Sequence, residues 1–351
     1  MTTVIINSAG LIQKQIQETI CFDDVLLKPR YSNIKNRSEV DIGNDLTNQH
    51  FRLPLISSPM DTVTEEKMAL AMASRGGLGV IHRYNTIDDQ QRMVESLYNQ
   101  VDKVAVAIGV SDDFEERARA CIISGASILC IDVAQGHHVL VERAIKNLKD
   151  EHGENIHVMA GNVATLEAFN DLADWGADSI RVGVGGGSIC STRIQTGHGV
   201  PTLQSIMDCA KTDRDAVLIA DGGFKTSGDI VKALAAGADF VMLGSMLAAT
   251  DESPGETFTS VDGKKYKVYR GMASKEAQMD WRGKTSSLEG VSTTIPYKGS
   301  VEFVLRELER GIRSGFSYTG ARNLTELQAK ANFIRQTSAG QTESSAHIMR
   351  R

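Results

Sequence analysis

Eight short apolar runs, spread over the first two-thirds of the chain, constrain its fold more than any other feature. They fall at residues 53–57, 78–81, 104–108, 128–131, 156–160, 179–182, 217–220 and 240–243. Runs this short, and largely apolar rather than alternating, suit strands buried on both faces, as in a parallel sheet. Helical periodicity fills the gaps at 114–123, 139–148, 164–175 and 227–236, so the order reads strand, helix, strand, helix. Three helices stop at a glycine just before the next strand, in Gly125-Ala126-Ser127, Gly176-Ala177-Asp178 and Gly237-Ala238-Asp239, where glycine accepts the left-handed conformation that ends a helix. Eight strands are more than an open doubly wound sheet commonly uses, and they close naturally into a (β/α)8 TIM barrel. The pattern predicts one barrel domain over residues 1–351, with its active site at the C-terminal strand ends.

Residues 251–298 break the alternation with a long polar excursion after the eighth strand, of the length that functional lids or flaps reach. Helical spacing resumes at 301–314. The tail at 337–351 is small and polar, and is expected to be mobile unless a neighbouring subunit or an ion orders it.

A net charge of -6 argues against a general nucleic-acid or membrane-surface binder, though not against a local pocket for one phosphate. No run approaches the ~18 apolar residues of a membrane span, and nothing at the start reads as a secretory leader. The five cysteines, Cys21, Cys121, Cys130, Cys190 and Cys209, are odd in number and lack metal-ligand spacing. They read as reduced thiols of a cytoplasmic protein, with no disulfide.

The sharpest motif follows the sixth run: Gly183-Val184-Gly185-Gly186-Gly187-Ser188-Ile189-Cys190-Ser191-Thr192-Arg193. A glycine-rich turn at a strand C-terminus brings backbone amides close to an anion. It also sets Cys190 at the barrel mouth, where a stabilised thiolate is a nucleophile. For an isolated cysteine, burial in the core is the commoner state. The flanking glycines and hydroxyls favour the catalytic account for Cys190, and the other four keep the structural one.

That loop resembles the catalytic cysteine loop of the IMP dehydrogenase/GMP reductase family. Phe22-Asp23-Asp24-Val25-Leu26-Leu27-Lys28-Pro29, Ser57-Ser58-Pro59-Met60-Asp61-Thr62-Val63-Thr64, Ile131-Asp132-Val133-Ala134-Gln135-Gly136-His137, Ala160-Gly161-Asn162-Val163, Ala220-Asp221-Gly222-Gly223 and Tyr269-Arg270-Gly271-Met272 resemble further family segments. The resemblance implies a purine nucleotide oxidoreductase that works through Cys190. It implies that Ser188, Gly223, Gly244, Ser245 and Tyr269 hold a 5′-phosphate and that Asp221 accepts from the ribose hydroxyls, although Asp before Gly-Gly also simply makes turns. Ser58, Gly271, Met272 and Ala273 are implied as further substrate contacts. Asp132 and Asn162, just past the ends of the fourth and fifth strands, are implied to line the cofactor and base pocket, though each alone reads equally as a helix cap. The carbonyls of Gly185, Gly187 and Cys190 are implied as a monovalent cation site, for K+. His137, His138 and Trp281 read as rim or packing residues rather than ligands. A homotetramer is also implied.

Two reactions share the family's first step, attack of the cysteine on C2 of the purine. The dehydrogenase converts IMP to XMP with NAD, and the resembled enzymes use an Arg-Tyr pair on a mobile flap to activate water. The reductase converts GMP to IMP and ammonia with NADPH and needs no hydrolytic base. Here the stretch from Ser274 to Glu289 is short and has no Arg-Tyr pair, and Glu289 falls where reductases carry a glutamate acting with the loop threonine, here Thr192. Thr196-Gly197 and the segment from Asn36 to Asp41 are also reductase-like. Against this, the segment from Thr337 to Ser344 and Ser57-Ser58-Pro59 are dehydrogenase-like, and Arg282 offers a displaced base. Gly186 replaces a proline usual in the family, and no regulatory CBS pair lies between His82 and Asp102. The expectation is therefore GMP reductase, with a CBS-less IMP dehydrogenase second and a catalytically silent nucleotide-binding barrel third.

Overall fold

The computed structural model describes residues 16–111 and 113–344, together with the backbone of a strand pair at Ile5–Ile6 and Ile12–Gln13. All eight apolar runs are strands: β1 (Leu55–Ser57), β2 (Leu78–Ile81), β3 (Ala105–Ile108), β4 (Ile128–Asp132), β5 (His157–Val163), β6 (Ser179–Val182), β7 (Val217–Asp221) and β8 (Phe240–Leu243). Each pairs in parallel with the next, and β8 returns to β1 through Val241 opposite Leu55, closing the barrel. The TIM barrel expected from the sequence is the observed fold.

The helices between strands are α1 (Glu66–Ser74), α2 (Ile87–Tyr98), α3 (Phe114–Ile123), α4 (Val139–His152) and α5 (Leu166–Asp174), then α6 (Thr192–Thr196) and α7 (Thr202–Cys209) after β6, and α8 (Ser227–Ala235) after β7. Side chains alternate across each strand. Outward residues such as Leu129, Val158, Ile180 and Leu218 pack under the helices. Inward ones such as Ile128, Cys130, Met159, Ile219 and Phe240 fill the barrel. The three predicted helix stops hold at Gly125, Gly176 and Gly237, with φ of +113°, +110° and +118°. At Gly237 a Cβ would also meet Ala210 Cβ at 2.4 Å.

A hairpin that periodicity did not reveal closes the N-terminal end. Its strands Asn44–Leu46 and Gln49–Phe51 turn through Thr47 and Asn48, both at positive φ, as a two-residue hairpin turn demands. Leu46 and Phe51 enter the barrel floor, where the Phe51 ring meets Phe240 edge-on at 6.0 Å. The opposite, C-terminal mouth stays open.

After β8 and the short α9 (Ser245–Ala248), the excursion is ordered as an antiparallel sheet of β9 (Thr257–Thr259), β10 (Lys265–Arg270) and β11 (Ser292–Pro296), with α10 (Lys275–Arg282) between the last two. Buried Lys267 fastens β10 to the barrel by donating to the carbonyls of Thr250 and Ser253 at 2.8 and 2.5 Å. Helical spacing returns at α11 (Val301–Thr319) and α12 (Leu324–Lys330).

The start of the polar tail is a short helix, α13 (Ser338–Glu343). Thr337 caps it by accepting from the Gly340 amide at 3.2 Å, and the preceding strand Phe333–Arg335 pairs with Val25–Leu27. The rest of that tail, 345–351, lies outside the described residues. No described helix is long and apolar enough to cross a membrane.

One barrel residue makes stability depend on pH. Burial in β5, beside a 2.7 Å hydrogen bond to Ser179, lowers the pKa of His157 from 6.5 to about 4. The folded state therefore keeps this ring neutral where the unfolded state protonates it. The stability this confers is complete above about pH 6.5 and is lost as pH falls through 4. Denaturant titrations should show a His157→Gln variant losing up to about 3 kcal/mol less than the parent between those limits.

Candidate active site

The top layer of the barrel interior is charged. Asp132 ends β4, Arg181 lies within β6 and Asp221 ends β7, and alternation turns all three inward. The Arg181 guanidinium, its side chain 7% exposed, donates to Asp132 at 2.7 Å and to a single Asp221 oxygen at 3.2 and 2.9 Å. Burial works against its charge, but the Cys130 sulfur beneath and the carboxylates of Asp221 and Asp132 outweigh that and hold its pKa above the ordinary arginine range. Gly161 makes the room, since a Cβ there would stand 2.6 Å from Arg181 Cβ. Beside it, Asn162 donates to the same Asp221 oxygen at 2.8 Å and to the Gly183 carbonyl at 2.9 Å. Asp132 is thus the last residue of its strand rather than past the end, and Asn162 lies within β5, which continues through a bulge at Gly161 and Val163. Tyr84 donates to the outer Asp132 oxygen at 3.4 Å, and Arg83 donates to the Asp132 carbonyl at 3.1 Å while lying over the Tyr84 ring.

The cysteine loop and the excursion meet as two antiparallel stretches. Cys190 bridges to Gly290, Val291 donates its amide to the Ile189 carbonyl at 3.0 Å, and Ser191 donates its amide to the Glu289 carbonyl at 2.8 Å. This pairing lines up a chain of hydrogen bonds. The Cys190 thiol donates to Thr192 Oγ1 at 3.2 Å, and the Thr192 hydroxyl donates to Glu289 Oε2 at 2.8 Å. Ser287 fixes the other carboxylate oxygen at 3.0 Å.

The residues read as phosphate contacts also converge. The Tyr269 hydroxyl meets the Ser188 side chain and the Ser245 backbone, and these bonds oppose the burial that raises its pKa to about 12. A Cβ on Gly244 would fall 2.9 Å from that phenol and 3.6 Å from Ser58 Oγ. Gly222 and Gly223 both have positive φ, so the turn there needs glycine. Every residue singled out from the sequence for a catalytic, substrate, cofactor or cation role lies on the wall of one cavity of 720 Å³. Among the described residues, no cluster of three His, Cys, Asp or Glu could hold a metal ion.

Residues given plainer readings fall elsewhere. His137 pairs with Asp171 at 2.7 Å, His138 caps α4, and Trp281 packs edge-on against Tyr84. All five cysteines are free, as expected. Burial raises the thiols of Cys121, Cys130 and Cys209 to about 12, 11 and 12. Cys21 is different from its structural reading in that it is half-buried on the cavity wall.

A family model for the IMP dehydrogenase / GMP reductase domain matches residues 19–347. The chain belongs to this family. It is 36% identical to the inosine-5′-monophosphate dehydrogenase of Cryptosporidium parvum, over 95% of this chain and 96% of that protein. It is 34% identical to the same enzyme of Nitrosopumilus maritimus (strain SCM1), over 95% and 99%, and 32% identical to the GMP reductase of Leishmania major, over 95% and 97%. A GMP reductase variant of Trypanosoma brucei, solved in complex with guanosine 5′-monophosphate, superposes with a TM-score of 0.91 at 30% identity, over 95% of this chain and 98% of that one. The last two alignments to curated relatives run longer than the 351 residues here, so those relatives carry sequence that this chain lacks. As a member of this family the chain is an oxidoreductase of purine nucleotides, and its relatives divide between the two activities.

Sequence reading missed Arg181, although a signal was present: a charged residue inside an otherwise apolar strand demands a partner. It also gave no role to Arg270, which joins the first strand-end loop to α10 by bridging Asp61 and Asp280, each at 2.6 Å. Arg181→Met should leave two carboxylates facing one another and lower stability by about 3–5 kcal/mol. Urea unfolding at neutral pH checks this, and adding Asp221→Asn should recover part of the loss.

Proposed function

We propose that this family member is a GMP reductase, converting GMP to IMP and ammonia. The hydrogen-bonded chain from Cys190 through Thr192 to Glu289 carries the reading. Its direction suits removal of the thiol proton to the Glu289 carboxylate through the threonine hydroxyl. The thiolate then attacks C2 of the purine, and the C2–N2 bond breaks with its pair going to nitrogen. The protonated Glu289 returns its proton through Thr192 to the departing amine, leaving a thioimidate on Cys190. A nicotinamide dinucleotide held at Asp132 and Asn162, NADPH on this reading, would supply the hydride for C2. The C2–Sγ bond then breaks, its pair returning to sulfur, and IMP is free.

The remaining residues bind and orient. Ser188, Gly223, Gly244, Ser245 and Tyr269 would hold the phosphate, with Asp221 on the ribose and Ser58, Gly271, Met272 and Ala273 around the base. The cofactor fits at Asp132 and Asn162, whose buried Oδ1 has no partner among the described residues and suits an amide donor. The cavity volume is within the range of about 300–1,000 Å³ typical of small-molecule sites. The carbonyls of Gly185, Gly187 and Cys190 would hold K+. The excursion, 251–298, acts as a lid that keeps water from the thioimidate. The resemblance further supports a cytoplasmic homotetramer built from single barrel domains.

A second reading, IMP dehydrogenase with NAD, is favoured by Arg282, which lines the cavity on α10 and offers a base for water. Absorbance at 340 nm separates the readings. Loss with GMP and NADPH is the expected result, gain with IMP and NAD would replace it with the dehydrogenase, and silence in both despite tight nucleotide binding would indicate a binding barrel. Glu289→Gln and Thr192→Val should each lower the rate of ammonia release by about 10²–10⁴-fold with little change in nucleotide affinity.

A further inference from the structure

The loop that carries Cys190 is wedged at a point the proposed chemistry does not use. Gly186 is not among the glycines with positive φ, so its backbone would accept other residues. The obstacle is one atom. A Cβ at 186 would stand 2.2 Å from Thr202 Oγ1, whereas its next neighbours, Thr202 Cβ and the Gly222 carbonyl carbon, lie at 3.6 and 3.9 Å. As placed, this hydroxyl meets any side chain at 186, including the proline found there in the resembled family, and one of the two would have to shift.

Thr202 opens α7, is 4% exposed and lines the cavity. Its Oγ1 is buried with no hydrogen-bond partner among the described residues. What its position shows is the space it fills. That space lies between two turns, since a Cβ on Gly223 would come within 3.3 Å of the same oxygen. The segment before α7 is also stitched to the cysteine loop: Val200 donates its amide to the Val184 carbonyl at 3.4 Å, and Arg193 donates to the Val200 carbonyl at 2.8 Å. One residue beyond Gly186, the Gly187 carbonyl accepts from the Cys190 amide at 3.2 Å. A displacement at 186 is thereby passed to the nucleophile.

We infer that Thr202 is a positioning residue for Cys190, its hydroxyl taking the place of a side chain at 186 and setting how far the cysteine loop enters the cavity. The inference rests on Cys190 being the nucleophile of the proposed reaction. Shifts of about 1 Å at a reacting group cost on the order of a hundredfold in rate, so the pair should be strongly coupled.

The test compares the full-length parent with Gly186→Ala, Thr202→Ser and the double variant Gly186→Ala/Thr202→Ala. The readouts are the iodoacetamide alkylation rate at the Cys190 peptide and the kcat and KM for nucleotide. Gly186→Ala should slow both alkylation and turnover by about 10- to 100-fold, with KM changed less than about threefold. The double variant should return both rates to within about threefold of the parent, and Thr202→Ser should match the parent. A Gly186→Ala variant indistinguishable from the parent, or a double variant as slow as Gly186→Ala, would overturn the inference. Should Gly186→Ala fail to fold, the double variant decides: recovery of folding and alkylation supports the lock, and failure refutes it. Alkylation does not require turnover, so a parent inactive with both substrate pairs would sink the proposed reaction while leaving this comparison readable.

Discussion

The site is organised around a guanidinium in a place where water is scarce. Arg181 holds Asp132 and Asp221 across the barrel interior, and neither carboxylate could face the other there without it. The aspartates belong to strands separated by two others, and the bridge spans that part of the barrel. Asn162 is oriented by the same Asp221 oxygen, and Tyr84 and Arg83 by Asp132. A few charge-assisted bonds in a low-dielectric layer therefore set the directions of Asp132, Asp221, Asn162, Tyr84 and Arg83 on one side of the cavity.

The fold was legible because parallel strands buried on two faces leave uninterrupted apolar runs, and because glycine alone ends three of the helices without strain. The ends of strands were less legible. Gly161 and Asn162 look like turn residues, yet β5 runs through them because Gly161 is needed there to admit Arg181. The excursion was legible only as an interruption. Strands β9 and β11 are exposed along most of their length, so no apolar alternation marks them, and their pairing is set by backbone bonds to β10. The hairpin at Asn44–Phe51 was missed for a related reason: each of its strands offers a single buried residue, Leu46 or Phe51.

The candidate site was more legible than its supports. Residues with distinctive local motifs, such as Cys190 in its glycine loop or Asp221 before Gly222-Gly223, announce themselves. Residues that act through long-range contacts do not. Thr192 and Glu289 stand 97 positions apart, and only the resemblance to a family joined them before the fold did. Arg270 sat inside a quoted motif without a function, because its partners Asp61 and Asp280 come from distant segments that meet only over the mouth.

The pairing of the cysteine loop with the stretch after α10 has one more consequence. Glu289 and Cys190 are registered by the same main-chain bonds that dock the excursion. Any departure of the excursion would break those bonds and carry Glu289 away from Thr192 and Cys190. The line from Cys190 through Thr192 to Glu289 is thus conditional on docking: the backbone that covers the loop is the backbone that assembles its side chains.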